Sequence, residues 1–162
     1  MSHLESIVPP LFKKTLGQWA SGVTVITTLR EGNPHGMTAS SFSSLSLEPP
    51  LVLVSVDQRA RLHQLLPQTG RYGVSILAKG QDALSTHFAG RAGDNLRIPW
   101  IEAEGLPFID GALAHLACDV VNAVPCGDHI IYIGLITHAQ VWSDREPLLY
   151  HSGKYATLSV LK

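Results

Sequence analysis

The sequence predicts a mainly β fold, a β-barrel with short helices, formed as a single domain over residues 1–162 with its core at about 10–158. Three observations favour this fold class. Runs of β-branched and apolar residues recur along the chain, turn sequences rich in Gly, Pro, Asn and Asp separate most of them, and helical patterns occur only at the start and in the middle. Strands joined by hairpin turns are typical of a closed antiparallel sheet rather than a doubly wound parallel one.

The first part of the chain predicts a helix, a hairpin and a buried strand. Apolar residues at helical spacing behind Pro9-Pro10 predict a helix over 11–20. The β-branched run 23–29 predicts a strand, and the turn sequence at 31–34 returns the chain into 36–41. The almost uninterrupted apolar run 51–56 predicts a strand that is buried on both faces.

The second part predicts two more helices and several strands. Helices are expected over 59–66, ending at Pro67, and over 83–88, and strands over 72–77, 117–124, 130–142, 148–151 and 155–160. Residues 90–107 are rich in Gly and charge and predict an irregular excursion.

Composition narrows the possible partners and the compartment. The chain is 45% hydrophobic and only 15% charged, with a net charge of −1 and no run of Lys or Arg, so we expect no nucleic-acid or membrane partner. A lightly charged surface and strands that are apolar on both faces favour a homodimer. No signal-peptide pattern occurs in 1–14 and only two cysteines are present, so a cytoplasmic location is expected.

Several chemical motifs are missing from the sequence. It has no Gly-x-Gly-x-x-Gly, no P-loop, no Gly-x-Ser-x-Gly and no His-Glu-x-x-His. Seven residues separate Cys118 from Cys126, whereas zinc sites usually place two to four between paired cysteines, so both are interpreted as small core residues. We therefore predict no metal ligand.

The segment 38–46 is unusual because six of its nine residues carry hydroxyl groups. Serine is a poor strand former, so something other than local propensity selects it. One interpretation is a polar loop. The other is a cradle in which hydroxyl and backbone N–H groups bind a phosphate or the polar edge of a ring. The residues alone leave both interpretations open.

Three stretches together resemble a known family. The run GMTASSFSSLSLEPPLVLVSV at 36–56 closely resembles the flavin reductase-like family, which has the FMN-binding split-barrel fold of Greek-key type. Gly127-Asp128-His129 before a strand containing Gly134, and PLLYHSGKY at 147–155, resemble the same family in the same order. The resemblance covers about residues 10–158. Members of this family include the small reductase components of two-component monooxygenases.

The resemblance implies an NAD(P)H-dependent flavin reductase. Such a protein passes hydride from NADH or NADPH to FMN, or to FAD, and supplies the reduced flavin to a partner monooxygenase. Split-barrel relatives leave two alternatives: a reductase with a non-flavin acceptor, such as a corrin cobalt or a ferric chelate, and a non-catalytic flavin- or haem-binding module.

The resemblance also assigns cofactor-binding positions. The segment that lines the flavin ring and ribityl chain and begins the phosphate site comprises Met37, Thr38, Ala39, Ser40 and Ser41. The strand end and helix start that complete the cradle comprise Ser55, Val56, Asp57, Arg59, Ala60 and Arg61. The stretch that touches the flavin from the partner helix comprises Phe88, Ala89 and Gly90.

Physical reasoning agrees with part of this assignment. A helix N-terminus with Arg59 and Arg61 beside it suits a phosphate dianion. The resemblance implies that His129 faces the nicotinamide, whereas the sequence alone favours a turn histidine. Arg97 is interpreted as a solvated loop residue, and Tyr150 and Tyr155 as packing residues at the edge of the site.

Overall fold

Twelve strands and three helices make up the part of the chain that the computed structural model describes, residues 6–91 and 95–161. The helices are α1 (Pro9–Leu16), α2 (Arg61–Thr69) and α3 (Asp82–Phe88). The strands are β1 (Ser21–Gly22), β2 (Thr24–Arg30), β3 (Asn33–Ala39), β4 (Phe42–Ser46), β5 (Leu51–Asp57), β6 (Arg71–Ile76), β7 (Trp100–Ala103), β8 (Leu106–Ile109), β9 (Ala114–Cys126), β10 (His129–Val141), β11 (Leu149–His151) and β12 (Lys154–Ala156). The predicted mainly β fold with short helices is confirmed.

The main sheet has seven strands in the order β3-β2-β6-β9-β10-β5-β4, and all its pairings are antiparallel. Its two edge strands, β3 and β4, are consecutive in the chain and only Ser40 and Ser41 separate them. Three Cα–Cα steps of about 3.8 Å each join Ala39 to Phe42, so the end of β3 and the start of β4 lie within about 11 Å of each other and the sheet must curl into a barrel. A two-stranded sheet (β7-β8) and a three-stranded one (β1-β11-β12) pack outside it.

The barrel interior holds the largest apolar cluster. Val52, Val54 and Val56 of β5 are almost fully buried there, and Leu62 and Leu66 bring one face of α2 against them. The alternate residues of β5 are only half-buried. The prediction that 51–56 is buried on both faces is therefore wrong: an antiparallel barrel strand has one inner and one outer face.

Two helices have other bounds than the sequence predicts. Helix α2 begins at Arg61 and passes through Pro67 to Thr69, where Gly70 ends it with a left-handed φ of 65° and an N–H bond to the Leu66 carbonyl at 2.9 Å. Helix α1 ends at Leu16, four residues earlier than predicted. No helix of the described residues is long and apolar enough to cross a membrane.

Two predicted irregular regions contain strands. The hydroxyl-rich segment 38–46 forms the end of β3 and all of β4. The excursion 90–107 contains β7 and the start of β8, joined by a turn with positive φ at Glu104 and Gly105. This hairpin forms because Leu106 and Phe108 are buried beneath it. Residues 92–94 of the excursion lie outside the described part.

The two cysteines differ in environment. Cys118 is fully buried beside Tyr72, and burial raises the pKa of its thiol to about 12, so it is a packing residue as predicted. Cys126 is exposed at the end of β9, so its interpretation as a core residue is wrong.

Gly134 leaves room for the buried Tyr72. A Cβ atom at position 134 would overlap the Tyr72 hydroxyl and would lie 2.9 Å from the Cβ of Cys118. The β9–β10 register shifts next to Gly134, so the strand is already distorted at this point. Tyr72 is fully buried, which leaves its ring little freedom to move away.

We expect Gly134→Ala to lower the free energy of unfolding by about 1–3 kcal/mol, because the added methyl group overpacks the core. Urea denaturation followed by circular dichroism measures the change. Gly22→Ala is the matched control, since its added Cβ meets nothing within 4 Å. Equal stability of the two variants would contradict the assigned role of Gly134.

Candidate functional site

A cavity of about 600 Å³ opens where β3, the start of α2, the end of α3 and β7 meet. We call it the main cavity, and its volume lies inside the range of roughly 300–1,000 Å³ that is typical of ligand sites. Its lining is Pro34, His35, Gly36, Met37, Ala60, Arg61, Leu62, His87, Phe88, Ala89, Gly90, Ile98 and Trp100. Six residues predicted from the resemblance are brought together here, namely Met37, Ala60, Arg61, Phe88, Ala89 and Gly90.

One wall of the main cavity is aromatic. The ring of Phe88 meets the ring of Trp100 edge to face, with 5.5 Å between centroids, and meets His87 at 5.0 Å. Gly36 permits this arrangement, because a Cβ there would lie 2.8 Å from the Phe88 ring. Such a wall suits a planar ring system.

The opposite end of the main cavity is cationic. Helix α2 starts at Arg61 with no side-chain cap, so its first backbone N–H groups lack helical partners. Arg61 lines this end of the cavity together with His35, and burial, followed by the charges of Arg61 and Arg30, lowers the pKa of His35. This end therefore suits an anion, and the whole cavity suits a planar ring with a phosphate-bearing tail.

A smaller cavity of about 240 Å³, here called the hydroxyl pocket, adjoins the main cavity at Ala89. The Thr38 hydroxyl donates to the carbonyl oxygen of Ser85 at 2.6 Å. The Tyr155 hydroxyl donates to Ser85 Oγ at 2.9 Å and shares a hydrogen bond of 3.1 Å with Thr86. Strand β12 is thereby fastened to α3, and the pocket also includes the predicted Ser40.

Seven predicted residues lie outside the lining of both cavities, namely Ala39, Ser41, Ser55, Val56, Asp57, Arg59 and His129. The side chains of Ala39 and Val56 point into the barrel core, with 6% and 0% exposure. They can therefore offer a ligand only their backbone. Ser41 Oγ donates to the carbonyl oxygen of Ser55 at 2.8 Å, which ties the β3–β4 connection to β5.

The two arginines at the start of α2 have different partners. Arg59 makes two side-chain bonds to Asp57, at 3.1 and 2.8 Å, and these lower the pKa of Asp57 and raise that of Arg59. Its charge is thus paired, and its side chain is 87% exposed. Among the residues that the structure describes, the Arg61 side chain bonds only to the neutral Gln64, at 3.0 Å, and it lines the main cavity. Of the two, Arg61 is therefore better placed to meet an anion.

His129 lies at the same end of the barrel but outside the lining of the main cavity. It pairs with Asp57 across β5 and β10, and its Nδ1 is 2.7 Å from Asp128 Oδ1. The backbone N–H of Gln58 donates to the Asp128 carbonyl at 3.0 Å, which holds this turn against the segment before α2. The half-exposed imidazole can therefore meet only a ligand that extends beyond the main cavity.

The cavity residues that sequence reasoning missed include His35, His87 and Trp100. Trp100 was hidden in the segment predicted to be irregular, although the pair Trp100-Ile101 ahead of a glycine is a hairpin signal. Arg97 is exposed and outside both cavities. Tyr150 and Tyr155 line the hydroxyl pocket, where they also pack edge to face.

Two polar features of the lining remain. His87 Nδ1 is buried and has no hydrogen-bond partner among the residues that the structure describes, so it is available to a ligand. Within 6–91 and 95–161, no group of three His, Cys, Asp or Glu side chains is arranged to hold a metal ion.

Comparison with known proteins identifies sequence relatives along nearly the whole chain. The profile of a family described as a flavin reductase like domain matches residues 16–159. An NADH-dependent flavin reductase from a Rhodococcus species is 45% identical, over 98% of this chain and 92% of that protein. The reductase component of 4-hydroxyphenylacetate 3-monooxygenase from Thermus thermophilus is 42% identical, over 91% of this chain and 95% of that protein.

Solved structures show the same fold. The flavin reductase PheA2 superposes with a TM-score of 0.92 at 43% identity, over 95% of this chain and all of that one. The NADH:FAD oxidoreductase SgcE6 of Streptomyces globisporus, in complex with NAD and FAD fragments, gives 0.87 at 36% identity, over 96% of this chain and 98% of that one. The predicted split-barrel fold is confirmed.

Proposed function

The chain belongs to the flavin reductase-like family, and from that premise we propose that it is an NADH-dependent flavin reductase that supplies reduced flavin to a partner monooxygenase. Membership makes it an oxidoreductase. The observation that carries the proposal is the main cavity, which joins an aromatic wall to a cationic helix start in one continuous space. NADH as the donor is supported by the names of the Rhodococcus and Streptomyces relatives.

In this proposal the flavin ring lies along the aromatic wall and the phosphate lies at the start of α2. Met37, Phe88 and Trp100 supply apolar surface for the isoalloxazine. The Arg61 side chain and the backbone N–H groups of Arg61 and Leu62 bind the phosphate, whereas the N–H of His63 already donates to the Ala60 carbonyl at 3.1 Å. FMN satisfies this arrangement, and FAD shares the same ring and first phosphate.

The hydroxyl pocket supports the polar edge of the ring. Thr38 and Ser40 line it beside Ala89, which also lines the main cavity. Because Thr38 is fixed by its bond to Ser85, its position is set before any ligand arrives. We propose that the backbone and hydroxyl groups of this segment stabilise negative charge at the pyrimidine edge of the reduced flavin.

The residues of this chain act by binding and orientation. Flavin and nicotinamide supply the hydride chemistry themselves. The aromatic wall excludes water from one side of the ring, and His129 is proposed to contact the nicotinamide where it extends beyond the main cavity. Reacting atoms must approach to roughly 3–3.5 Å, so the rigidity of this end of the barrel matters more than any side-chain acid or base.

We propose a cytoplasmic location because of the two cysteines. Cys118 and the exposed Cys126 are both free thiols, and a reducing compartment preserves them.

Steady-state oxidation of NADH with added flavin tests the proposed function. We expect many turnovers per protein molecule, with a rate that depends on added FMN or FAD. NADPH and a ferric chelate, each tested separately, measure donor and acceptor preference. A protein that turns over NADH only with the chelate, or not at all, would contradict the proposal.

Two substitutions are expected to separate the two binding functions. Arg61→Ala should raise the flavin KM roughly 10–100-fold, because a charge-assisted hydrogen bond is worth about 1.5–3 kcal/mol. Arg59→Ala is the matched comparison for Arg61, with a smaller effect expected because Asp57 already pairs with that charge.

His129→Ala should raise the KM for NADH or slow flavin reduction roughly 5–100-fold and leave flavin affinity nearly constant. Stopped-flow reduction of the flavin-loaded variants isolates the hydride-transfer step, and a wild-type rate in His129→Ala would make His129 a structural residue.

We further propose that the chain forms a homodimer. Helix α1 buries none of its residues, and Leu11, Phe12 and Leu16 are each about half exposed. Exposed apolar surface on this scale is typical of an interface. The carbonyl oxygen of Gly17, just after α1, accepts a hydrogen bond from the N–H of Ser152. Ser152 lies in the β11–β12 turn, next to Gly153 of the hydroxyl pocket, so α1 lies near that pocket. We therefore place the flavin near the subunit boundary.

Sedimentation velocity at micromolar concentration tests the homodimer. We expect a species of twice the chain mass of 17.5 kDa. A single species of one chain mass across this concentration range would contradict the dimer without affecting the assignment of the main cavity.

A further inference from the structure

His87 lies in the last turn of α3 and lines the main cavity beside Phe88. Its Nδ1 atom is buried and has no hydrogen-bond partner within residues 6–91 and 95–161. A buried nitrogen without a partner costs a protein roughly 1–3 kcal/mol. Such groups are few in native proteins, and ligand sites are one place where they are retained.

The His87 ring is held in place by its surroundings. It meets Phe88 edge to face, with 5.0 Å between centroids and 88° between planes. The helix ends directly after it, because the N–H of Gly90 donates to the His87 carbonyl at 2.9 Å and Gly90 has a left-handed φ of 73°. The torsion about the Cβ–Cγ bond has two broad minima, and a half-turn between them exchanges Nδ1 with Cδ2. The nitrogen can therefore leave its buried position without any movement of α3.

The end of α3 borders both cavities of the site. Ser85 and Thr86 line the hydroxyl pocket, His87 lines the main cavity, and Ala89 lines both. The hydroxyls of Ser85 and Thr86 already bond to Tyr155, at 2.9 and 3.1 Å. Among the described side chains of this helix end, His87 Nδ1 is the buried polar atom that still lacks a partner.

We propose that His87 Nδ1 forms a hydrogen bond with the polar edge of the flavin ring and so holds the ring against the aromatic wall. The inference rests on the proposed function and adds a ring-binding residue to it. The isoalloxazine edge presents carbonyl oxygens, accepting nitrogens and one N–H, and an imidazole nitrogen donates in one tautomer and accepts in the other. Because His87 directly precedes Phe88, a ring that packs on the aromatic wall lies within reach of the imidazole.

His87 and Arg61 then bind different parts of the same ligand. Arg61 meets the phosphate, and His87 meets the ring. Lumiflavin separates the two contacts, because it has the isoalloxazine ring without the ribityl phosphate. A contact to the ring affects FMN and lumiflavin equally, whereas a contact to the phosphate affects FMN alone.

His87→Leu tests the proposal by removing the nitrogen and keeping a side chain of similar bulk. Fluorescence titration of the full chain measures the dissociation constants of FMN and lumiflavin. We expect both to rise by the same factor, roughly 5–50-fold, because the flavin edge is left without its partner in the cavity. Arg61→Ala should weaken FMN and leave lumiflavin at wild-type affinity. His138→Leu, on β10 and outside both cavities, is the matched control and should change neither.

Stability separates a ligand-binding role from a structural one. In the flavin-free protein His87→Leu removes an unpaired buried nitrogen, so we expect the free energy of unfolding to equal or exceed that of wild type. His87→Asn restores a polar atom near the position of Nδ1 and should recover most of the lost flavin affinity. A less stable His87→Leu protein that His87→Asn does not rescue makes His87 a packing residue and overturns the proposal.

Nitrogen-15 NMR of histidine-labelled wild-type protein tests the same hydrogen bond without a substitution in the protein being measured. The His87 Nδ1 resonance, assigned by its absence from His87→Asn, should shift when lumiflavin is added. An unchanged resonance with wild-type lumiflavin affinity in His87→Leu overturns the proposal. A raised KM for NADH with unchanged flavin affinity also overturns it, because the nitrogen would then contact the nicotinamide.

Failure of the proposed function gives a different result. A wild-type protein without flavin-dependent NADH oxidation contradicts that function directly. Titration with lumiflavin needs no turnover, so it still tests the contact of His87 with the ring.

Discussion

The two-residue connection between β3 and β4 is the constraint on which the rest of the structure depends. Ser40 and Ser41 join strands that stand at opposite edges of the seven-stranded sheet, so the sheet can satisfy this link only by closing. Closure is tight at the connection, where Ser41 is tied to the Ser55 carbonyl. The barrel is open beside β3. Helix α2 packs into this opening through Leu62 and Leu66, and its first turn lines the main cavity.

Charge pairing then decides which groups near the opening can meet a ligand. Asp57 neutralises Arg59, and Asp128 holds the imidazole of His129. Arg61 has no carboxylate partner among the salt bridges of the described residues and lines the main cavity. Of the two arginines near the start of α2, Arg59 is therefore engaged in an ion pair, and Arg61 is the one whose charge is available to an anion.

The sequence predicts strands well where β-branched residues are concentrated, as in β2, β5 and β10, because side-chain shape and burial act together there. It fails where tertiary contacts override local preference. The serines of β4 are held by pairing with β5, and β7 forms because Phe108 is buried beneath the β7–β8 hairpin.

The candidate site was predictable in outline because its family motif is continuous in the sequence. Met37, Arg61 and Phe88 do meet around one cavity. What a linear motif cannot show is the direction of each side chain, since alternate residues of a strand face opposite sides. Ala39 and Val56 therefore belong to the core, and Trp100 reaches the cavity from a segment outside the three stretches that carry the family resemblance.

Gly36 controls the shape of the main cavity through its contact with Phe88. The Phe88 ring rests in the space where a side chain at position 36 would be. The position of the Phe88 ring is therefore set by the absence of a Cβ atom at Gly36. Because β3 pairs with β2, its backbone has little freedom to move away from the ring. Any larger residue at 36 would push Phe88 forward and narrow the space for a ring. The absence of a side chain at position 36 therefore sets the width of the main cavity without forming any polar contact.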